Sequence, residues 1–417
     1  MAVEQWGFAG GYITAVVGPS LDGFVDVRTG LPIVGGLALE FARLSGGASG
    51  EVASKRYRPS TDLRELWENP DWKPLKFDVE LFKLYADRLM RQAGVRILYH
   101  THIADVLRDG DRVTGVVIVN KAGLGLVKPK MVIDATGDGD VATWAGTPFD
   151  IAEELQPMSL HFRVANVEIS AELRDQCTAV LEQAQAAGQL DMFGGPWLNP
   201  LGPDELYVNA TRYLGNGADP EDVSAAEIKG REDAQLMFEL WKKHVPGFKD
   251  AYFVATGPAV GVRESRRIRG DKTLTIEDIV NHRKQEDVIL MGAWYHDRHP
   301  QKSSGHHSLG LVRPYDIAYG TMLPQGLSNM WVAGRCHSAD QEALASSRVT
   351  ITAMGMGQAA GTAAAMAVQA GADSRGLEIT DLQAQLLADD AIILDRAEKI
   401  MAEGDALGDS VKASILG

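Results

Sequence analysis

NMWVAGRCHSADQEALASSRVTITAMGMGQAAGTAAA, residues 329–365, decides how the rest of the chain is read. The apolar run NMWVAG has the length of a buried strand and ends in Ala-Gly. A polar loop follows, with Ser338, Asp340, Ser346, Ser347 and Arg348. A helix is predicted to start between Thr350 and Gly357, built almost entirely from small residues. Such side chains let a helix N-terminus approach a flat ring closely, and its free N–H groups and dipole favour negative charge there. Packing of the small face on a neighbouring helix is the competing reading, and the polar loop counts against it.

Upstream, ATGDGDVA (residues 135–142) follows the strand MVID and contains GxGxxA, the order of a dinucleotide fingerprint. Asp138 and Asp140 would repel a pyrophosphate, so a plain strand-to-helix turn stands beside that reading. Before it, DVELFKLYADRLMRQAG predicts a helix capped by Asp78 and stopped by Gly94, with Leu81, Phe82, Tyr85 and Leu89 at helical spacing. VRILY, IADVL, RVTGVVIVN, LGLVK and KMVIDAT read as short strands with turns at Asp109-Gly110 and Lys121-Ala122-Gly123. Residues 1–45 are rich in glycine, as backbone is where it loops or passes close to something. Residues 46–77 are polar and carry Pro59, Pro70 and Pro74, an excursion from the main domain. Residues 146–325 change character: Trp, Tyr and His mix with arginine clusters, and a polar helix is predicted near 220–244. ITDLQAQLLADDAIIL predicts a short closing helix.

The 417 residues are 45% hydrophobic and 23% charged, ordinary for a soluble globular protein of two or three domains. A formal net charge of −15 argues against a nucleic-acid partner. Cys177 and Cys336 lie far apart, which excludes a CxxC redox pair and fits a reducing compartment such as a cytoplasm. No apolar run is long enough to span a membrane. GVRESRRIRGDKTLTIEDI (261–279) crowds Arg263, Arg266, Arg267 and Arg269. Arg269 reads as solvated surface, the others as a carboxylate or phosphate clamp. His282, His296, His299, His306 and His307 fall close together, but without a metal-ligand spacing. A proton-transfer or substrate-binding histidine is the preferred reading, and no metal is expected.

Taken in order, these motifs resemble the FAD-dependent oxidoreductase family, distantly related to the fumarate reductase and succinate dehydrogenase flavoproteins. VEQWGFAGG resembles the end of the second strand of the FAD domain and its loop. FDVELFKLYADRLMRQAGVRILYHTHIADVLRDGDRVTGVVIVNKAG resembles the family's helix and meander, and DATGDGDVATWAG its second FAD motif. GVRESRRIRGDKTLT and GAWYHDRH resemble substrate-domain signatures, and residues 329–361 the C-terminal FAD motif. The resemblance implies an α/β fold with a doubly wound FAD-binding domain of the glutathione-reductase type. That domain would be built from residues 1–45, 78–145 and 326–372, with a mixed α+β substrate domain inserted at 146–325 and a helical tail at 373–417. It implies Glu4 on the adenosine ribose, Gly10 and Gly11 near the pyrophosphate, and Ile103 at the adenine. Thr136, Gly137 and Asp138 would lie beside the cofactor, and Gly334, Arg335, Met356, Gly357 and Gln358 along its ribityl chain and ring. The first histidine is His100, so FAD is expected to be held non-covalently.

In the family a strand and GxGxxG loop precede the residue corresponding to Glu4. The chain is therefore expected to be N-terminally incomplete and to bind FAD poorly. The expected activity is hydride transfer between flavin and an anionic or oxygen-rich small molecule. Arg263, Arg266 and Arg267 would hold that molecule, and His299, or secondarily His296, would move the proton. A non-catalytic relative that no longer holds FAD tightly is the alternative, with a carbohydrate-active lyase as a third class. The sequence does not specify an oligomeric state.

Overall fold

The computed structural model describes residues 1–18, 20–21, 23, 33–45, 75–76, 78–299, 301 and 312–393. A two-residue strand β1 (Ala2–Val3) leads through Gly10 and Gly11 into a single helical turn α1 (Tyr12–Ala15). Helix α2 (Gly36–Ser45) packs against α3 (Val79–Gln92). The α3 start is fixed as the sequence predicts: the Asp78 carboxylate accepts from the N–H groups of Glu80 and Leu81. Strand β2 (Ile97–Leu98) lies parallel to β1. The antiparallel meander β3 (His102–Asp109), β4 (Arg112–Asn120) and β5 (Gly123–Val127) turns where its Gly110 and Gly123 take positive φ. Strand β6 (Val132–Asp134) then enters the short helix α4 (Asp140–Trp144).

The next segment is an antiparallel sheet with two helices on one face. Its strands are β7 (Phe162–Ala165), β8 (Phe193–Pro200), β9 (Glu205–Thr211) and β10 (Tyr252–Thr256), in the spatial order β8-β9-β7-β10. Helix α5 (Leu173–Ala186) precedes β8 and α6 (Pro220–His244) follows β9. Side chains alternate across a strand. Phe162, Val164, Leu206 and Val208 therefore enter one core with Cys177, Leu181, Met237 and Trp241 from the helices. Their neighbours His161, Tyr207 and Asn209 face the other way.

Strands β11 (Val288–Gly292) and β12 (Tyr315–Ala318) form a hydrogen-bonded pair, and β13 (Met330–Val332) runs parallel to β6. Helices α7 (Gln341–Ser347), α8 (Thr350–Ala370) and α9 (Ile379–Ala388) complete the described chain. Strand β13 is buried on both faces: Trp331 joins the core of α8, while Met330 and Val332 join the core beneath the meander. Gly355 lets α8 lie directly on β11, since a Cβ there would sit 2.4 Å from a Leu290 methyl.

Two observations bear on the expected domain plan. The doubly wound sheet is present among the described residues only as two short parallel pairs, β1–β2 and β6–β13, with no hydrogen bonds joining them. The segment 146–325 does not pack as one unit. Leu274, Ile289, Ile317 and Met322 share the core of α8, because β11 and β12 offer it a fully apolar face. The excursion at 46–77 lies almost wholly outside the described residues, as does the tail beyond residue 393. No helix among the described residues is long and apolar enough to cross a membrane.

Candidate active site

The two sheet-bearing parts enclose a cavity of about 530 Å³, within the range of small-molecule sites. One wall is made by Gly10, Gly11 and Tyr12, the turn Ile133–Gly137 after β6, Ala333–Arg335 after β13, and the α8 N-terminus from Val349 to Gly357. The other is the helix-free face of the β8-β9-β7-β10 sheet, with His161, Trp197, Asn199, Tyr207 and Asn209. Arg263 and the loop carrying Trp294, Asp297 and His299 close the end between them.

The first wall suits a flat ring with an electron-rich edge. Helix α8 has no side-chain N-cap, so its first N–H groups remain as donors toward the cavity. Gly357 borders the cavity where a Cβ would meet nothing within 4 Å. Ile133, although inside a strand, is exposed to this space and offers an apolar contact. The indole N–H of Trp294 and the Nε–H of Arg348 are buried donors with no acceptor among the described residues. A buried donor of this kind calls for an acceptor from a ligand. Glycine backbone, an uncapped helix start and surplus donors together fit the flavin of FAD.

The second wall is positively charged. Arg263 donates to the Pro157 carbonyl (2.6 Å) and to Ser159 Oγ (2.7 Å). Arg212, at the end of β9, donates to Ser159 Oγ (2.7 Å), Asn209 Oδ1 (3.0 Å) and the Thr211 carbonyl (2.8 Å). Arg348 donates to Asp297 Oδ2 (3.1 Å). Burial, then the charge of Arg348, lowers the Arg263 pKa to about 10, and burial with Arg263 lowers that of Arg212 as well. Burial alone would raise the Asp297 carboxyl, but His299, Arg348 and Arg263 outweigh it and hold the group below the usual carboxylate range. His299 Nε2 lies 3.3 Å from Asp297 Oδ1, and burial pushes its pKa down to about 3, leaving a neutral imidazole at neutral pH. Among the described residues, Arg212, Arg263 and Arg348 thus share this end of the cavity with one carboxylate, Asp297.

Of the residues expected from the sequence, Gly10, Gly11, Thr136, Gly137, Gly334, Arg335, Gly357, Arg263 and His299 border the cavity. The others are placed elsewhere. Arg266 donates to the Asp138 carbonyl (2.9 Å) and pairs with the Asp140 carboxylate. Asp138 also takes Ser265 and Arg335 (2.9 Å), so this cluster fixes the turn after β6 at the edge of the cavity that Arg335 borders. Arg267 pairs with Glu264 (2.7 Å) and donates to the Ala339 carbonyl. Arg269 pairs with Asp150 at the surface, as its sequence context suggests. His296 is buried against Glu342 (2.7 Å) and does not border the cavity.

On α8, successive residues point about 100° apart, so Gly357 alone of three neighbours faces the cavity. Met356 is buried and its sulfur accepts from the Gly334 N–H (3.4 Å). Gln358 binds the Leu37 N–H (3.0 Å) and the Asp389 carbonyl (3.1 Å) on another side of the helix. Glu4 accepts from the Trp6 N–H (2.9 Å) just beyond β1, and Ile103 pairs with Ile118 inside the meander; neither borders the cavity. His282 sits in a turn with positive φ, and His306 and His307 lie outside the described residues. Among the described residues no three His, Cys, Asp or Glu side chains are grouped to hold a metal.

Sequence reasoning missed His161, Tyr207, Arg212 and Asp297. The signal for Tyr207 was available. ELYVNATR alternates Leu206, Val208 and Ala210 with Tyr207, Asn209 and Thr211, a strand with one apolar face and one polar aromatic face. In a buried sheet such a face borders a cavity instead of water.

A family profile described as FAD dependent oxidoreductase matches residues 1–386. No curated protein matches the chain. Among solved structures, a geranylgeranyl bacteriochlorophyll reductase-like protein from Thermoplasma acidophilum is 12% identical, with a TM-score of 0.39, covering 82% of this chain and 77% of that one. The myxobacterial chondrochloren halogenase is 14% identical, with a TM-score of 0.36, covering 76% of this chain and 57% of that one. A protein of BE-7585A biosynthesis is 13% identical, with a TM-score of 0.39, covering 99% of this chain and 67% of that one. With the profile running through every segment that builds the cavity, the chain belongs to the FAD dependent oxidoreductase family, and FAD is its cofactor.

Proposed function

We propose that this protein transfers a hydride between FAD, held non-covalently, and an anionic, oxygen-rich small molecule. FAD, when bound, supplies the two-electron chemistry. The Thr350 end of α8, Gly10, Gly11, Gly137, Gly334 and Gly357 would hold it against the first wall. Arg263 would then bind the substrate's anionic group, and Arg212 and Arg348 strengthen the positive potential around it. Ser159 accepts from both Arg212 and Arg263 and so fixes their spacing. His299, neutral and oriented by Asp297, would exchange a proton with the substrate. Enclosure by Trp197, Trp294 and Tyr295 would limit water at the reacting atoms.

The observation that supports this reading is the gathering of Arg263, Arg212 and Arg348 around the one carboxylate, Asp297, found there among the described residues. An uncompensated buried cation is costly, and an anionic ligand relieves that cost. A direct experiment mixes the FAD-loaded protein anaerobically with 2-hydroxy, 2-amino and saturated dicarboxylic acids while following flavin absorbance. The matching methyl esters and amides serve as controls. The photoreduced protein is then offered unsaturated carboxylates as oxidants. Electron exchange with members of the carboxylate sets and not with their neutral counterparts is expected. Equal rates with the neutral set would overturn the assignment of the arginine wall.

A further inference from the structure

A hydrogen-bonded chain runs from the interior of the charged wall to the surface. Tyr207 Oη lies 2.6 Å from His161 Nδ1, and Tyr12 Oη lies 3.2 Å from Tyr207 Oη. His161 and Tyr207 are 1% and 2% exposed, whereas Tyr12 on α1 is 39% exposed, and all three border the cavity. The Tyr12 ring also meets the His161 ring edge-on at 5.8 Å. Among the described residues, Arg263 from the cavity end, Arg212 beyond β9 and Asn209 on β9 also face His161.

We propose that His161 is the proton reservoir of this site: it takes up one proton through Tyr12 and Tyr207 when an anion seats on Arg263. The inference rests on the anion-binding reading above and adds its proton partner. In the unliganded protein, burial first, then the charges of Arg263 and Arg212, hold the His161 pKa well below the ordinary histidine value. A carboxylate on Arg263 cancels part of that potential and leaves the burial of an imidazolium partly compensated. The proton comes from bulk buffer. Tyr12 passes it to Tyr207, and Tyr207 gives its own hydroxyl proton to Nδ1 of His161. Each tyrosine gains one proton and loses one, so both finish neutral and the net change is one proton on His161. The stored proton is then inside the cavity, beside the substrate.

The probe is malonate, a small dicarboxylate, titrated into the FAD-loaded protein by calorimetry at pH 6 in buffers of different ionisation enthalpy. Malonamide is the neutral control. Binding heats that scale with buffer enthalpy, reporting uptake approaching one proton at pH 6 and less at pH 8, are expected. His161→Gln should bind malonate with uptake reduced to near zero, while His299→Gln retains it. Tyr207→Phe should leave equilibrium uptake intact but slow it by about tenfold or more in a stopped-flow measurement with an indicator dye, because the chain to solvent is cut. This variant keeps the test alive if His161→Gln does not fold. Malonate binding with no proton uptake overturns the inference and leaves the anion reading standing. Uptake that persists in His161→Gln, or is equally fast in Tyr207→Phe, also overturns it. Absence of malonate binding overturns the anion reading itself.

Discussion

Replacing Arg263 with methionine should separate binding from stability. The substitution keeps an unbranched apolar stem and removes the charge. In the unliganded protein the guanidinium pKa falls from the ordinary arginine range to about 10. A depressed pKa on a base means that the folded state disfavours the proton. The penalty is fully present at neutral pH and is relieved only as the pH rises above about 10. At 1.36 kcal/mol per pKa unit this is about 3 kcal/mol. Against it stand the hydrogen bonds to the Pro157 carbonyl and Ser159 Oγ, each contributing about 1.5–3 kcal/mol for a charged donor. The two effects nearly cancel, so the apparent Tm of the unliganded variant should stay within a few degrees of the wild type. Carboxylate affinity should not survive: losing one charged contact of about 1.5–3 kcal/mol weakens binding by about 10- to 150-fold. Thermal unfolding with and without a saturating dicarboxylate at low salt reads both quantities. A variant that melts far earlier yet keeps its carboxylate-induced stabilisation would show that Arg263 is a structural residue and refute the reasoning.

Further outcomes follow from the same contacts. Gly357→Val should weaken FAD binding by about tenfold to a hundredfold, the 1–3 kcal/mol of an overpacked contact, while leaving the apo-protein at least as stable, because valine is a better helix former than glycine; flavin fluorescence titration and apo-protein melting decide it. Gln358→Ala should cost about 1 kcal/mol of stability per lost hydrogen bond to Leu37 and Asp389 and leave FAD affinity unchanged; a large loss of affinity would place Gln358 at the cofactor after all. Burial lowers the pKa of His299 to about 3 and of His337 to about 4. The unfolded chain therefore binds more protons than the folded one below about pH 6.5, and stability should fall as the pH drops from there towards 4. His337→Gln should flatten the dependence of Tm on pH in that window, and an unchanged slope would contradict it.

Local signals in the sequence determined the elements. Asp78 caps α3, Gly110 and Gly123 turn the meander, and the step from NMWVAG to small residues marks β13 and α8, because caps, turns and periodicity act within a few residues. The membership of the family was legible for the same reason: its motifs are short and lie in order along the chain. Which face of each element meets the cavity was not legible. Arg263, Arg266 and Arg267 are near neighbours in sequence, yet one borders the cavity, one fastens Asp138 and Asp140, and one is buried on Glu264. Met356, Gly357 and Gln358 part in the same way around one helix. Periodicity fixes the angle between neighbouring side chains but not the direction in which the element is turned, since that depends on packing against distant segments. Only tertiary contact brings Arg212, Asp297 and Arg348 to Arg263, so the charge cluster exists only when these separate segments share one low-dielectric wall.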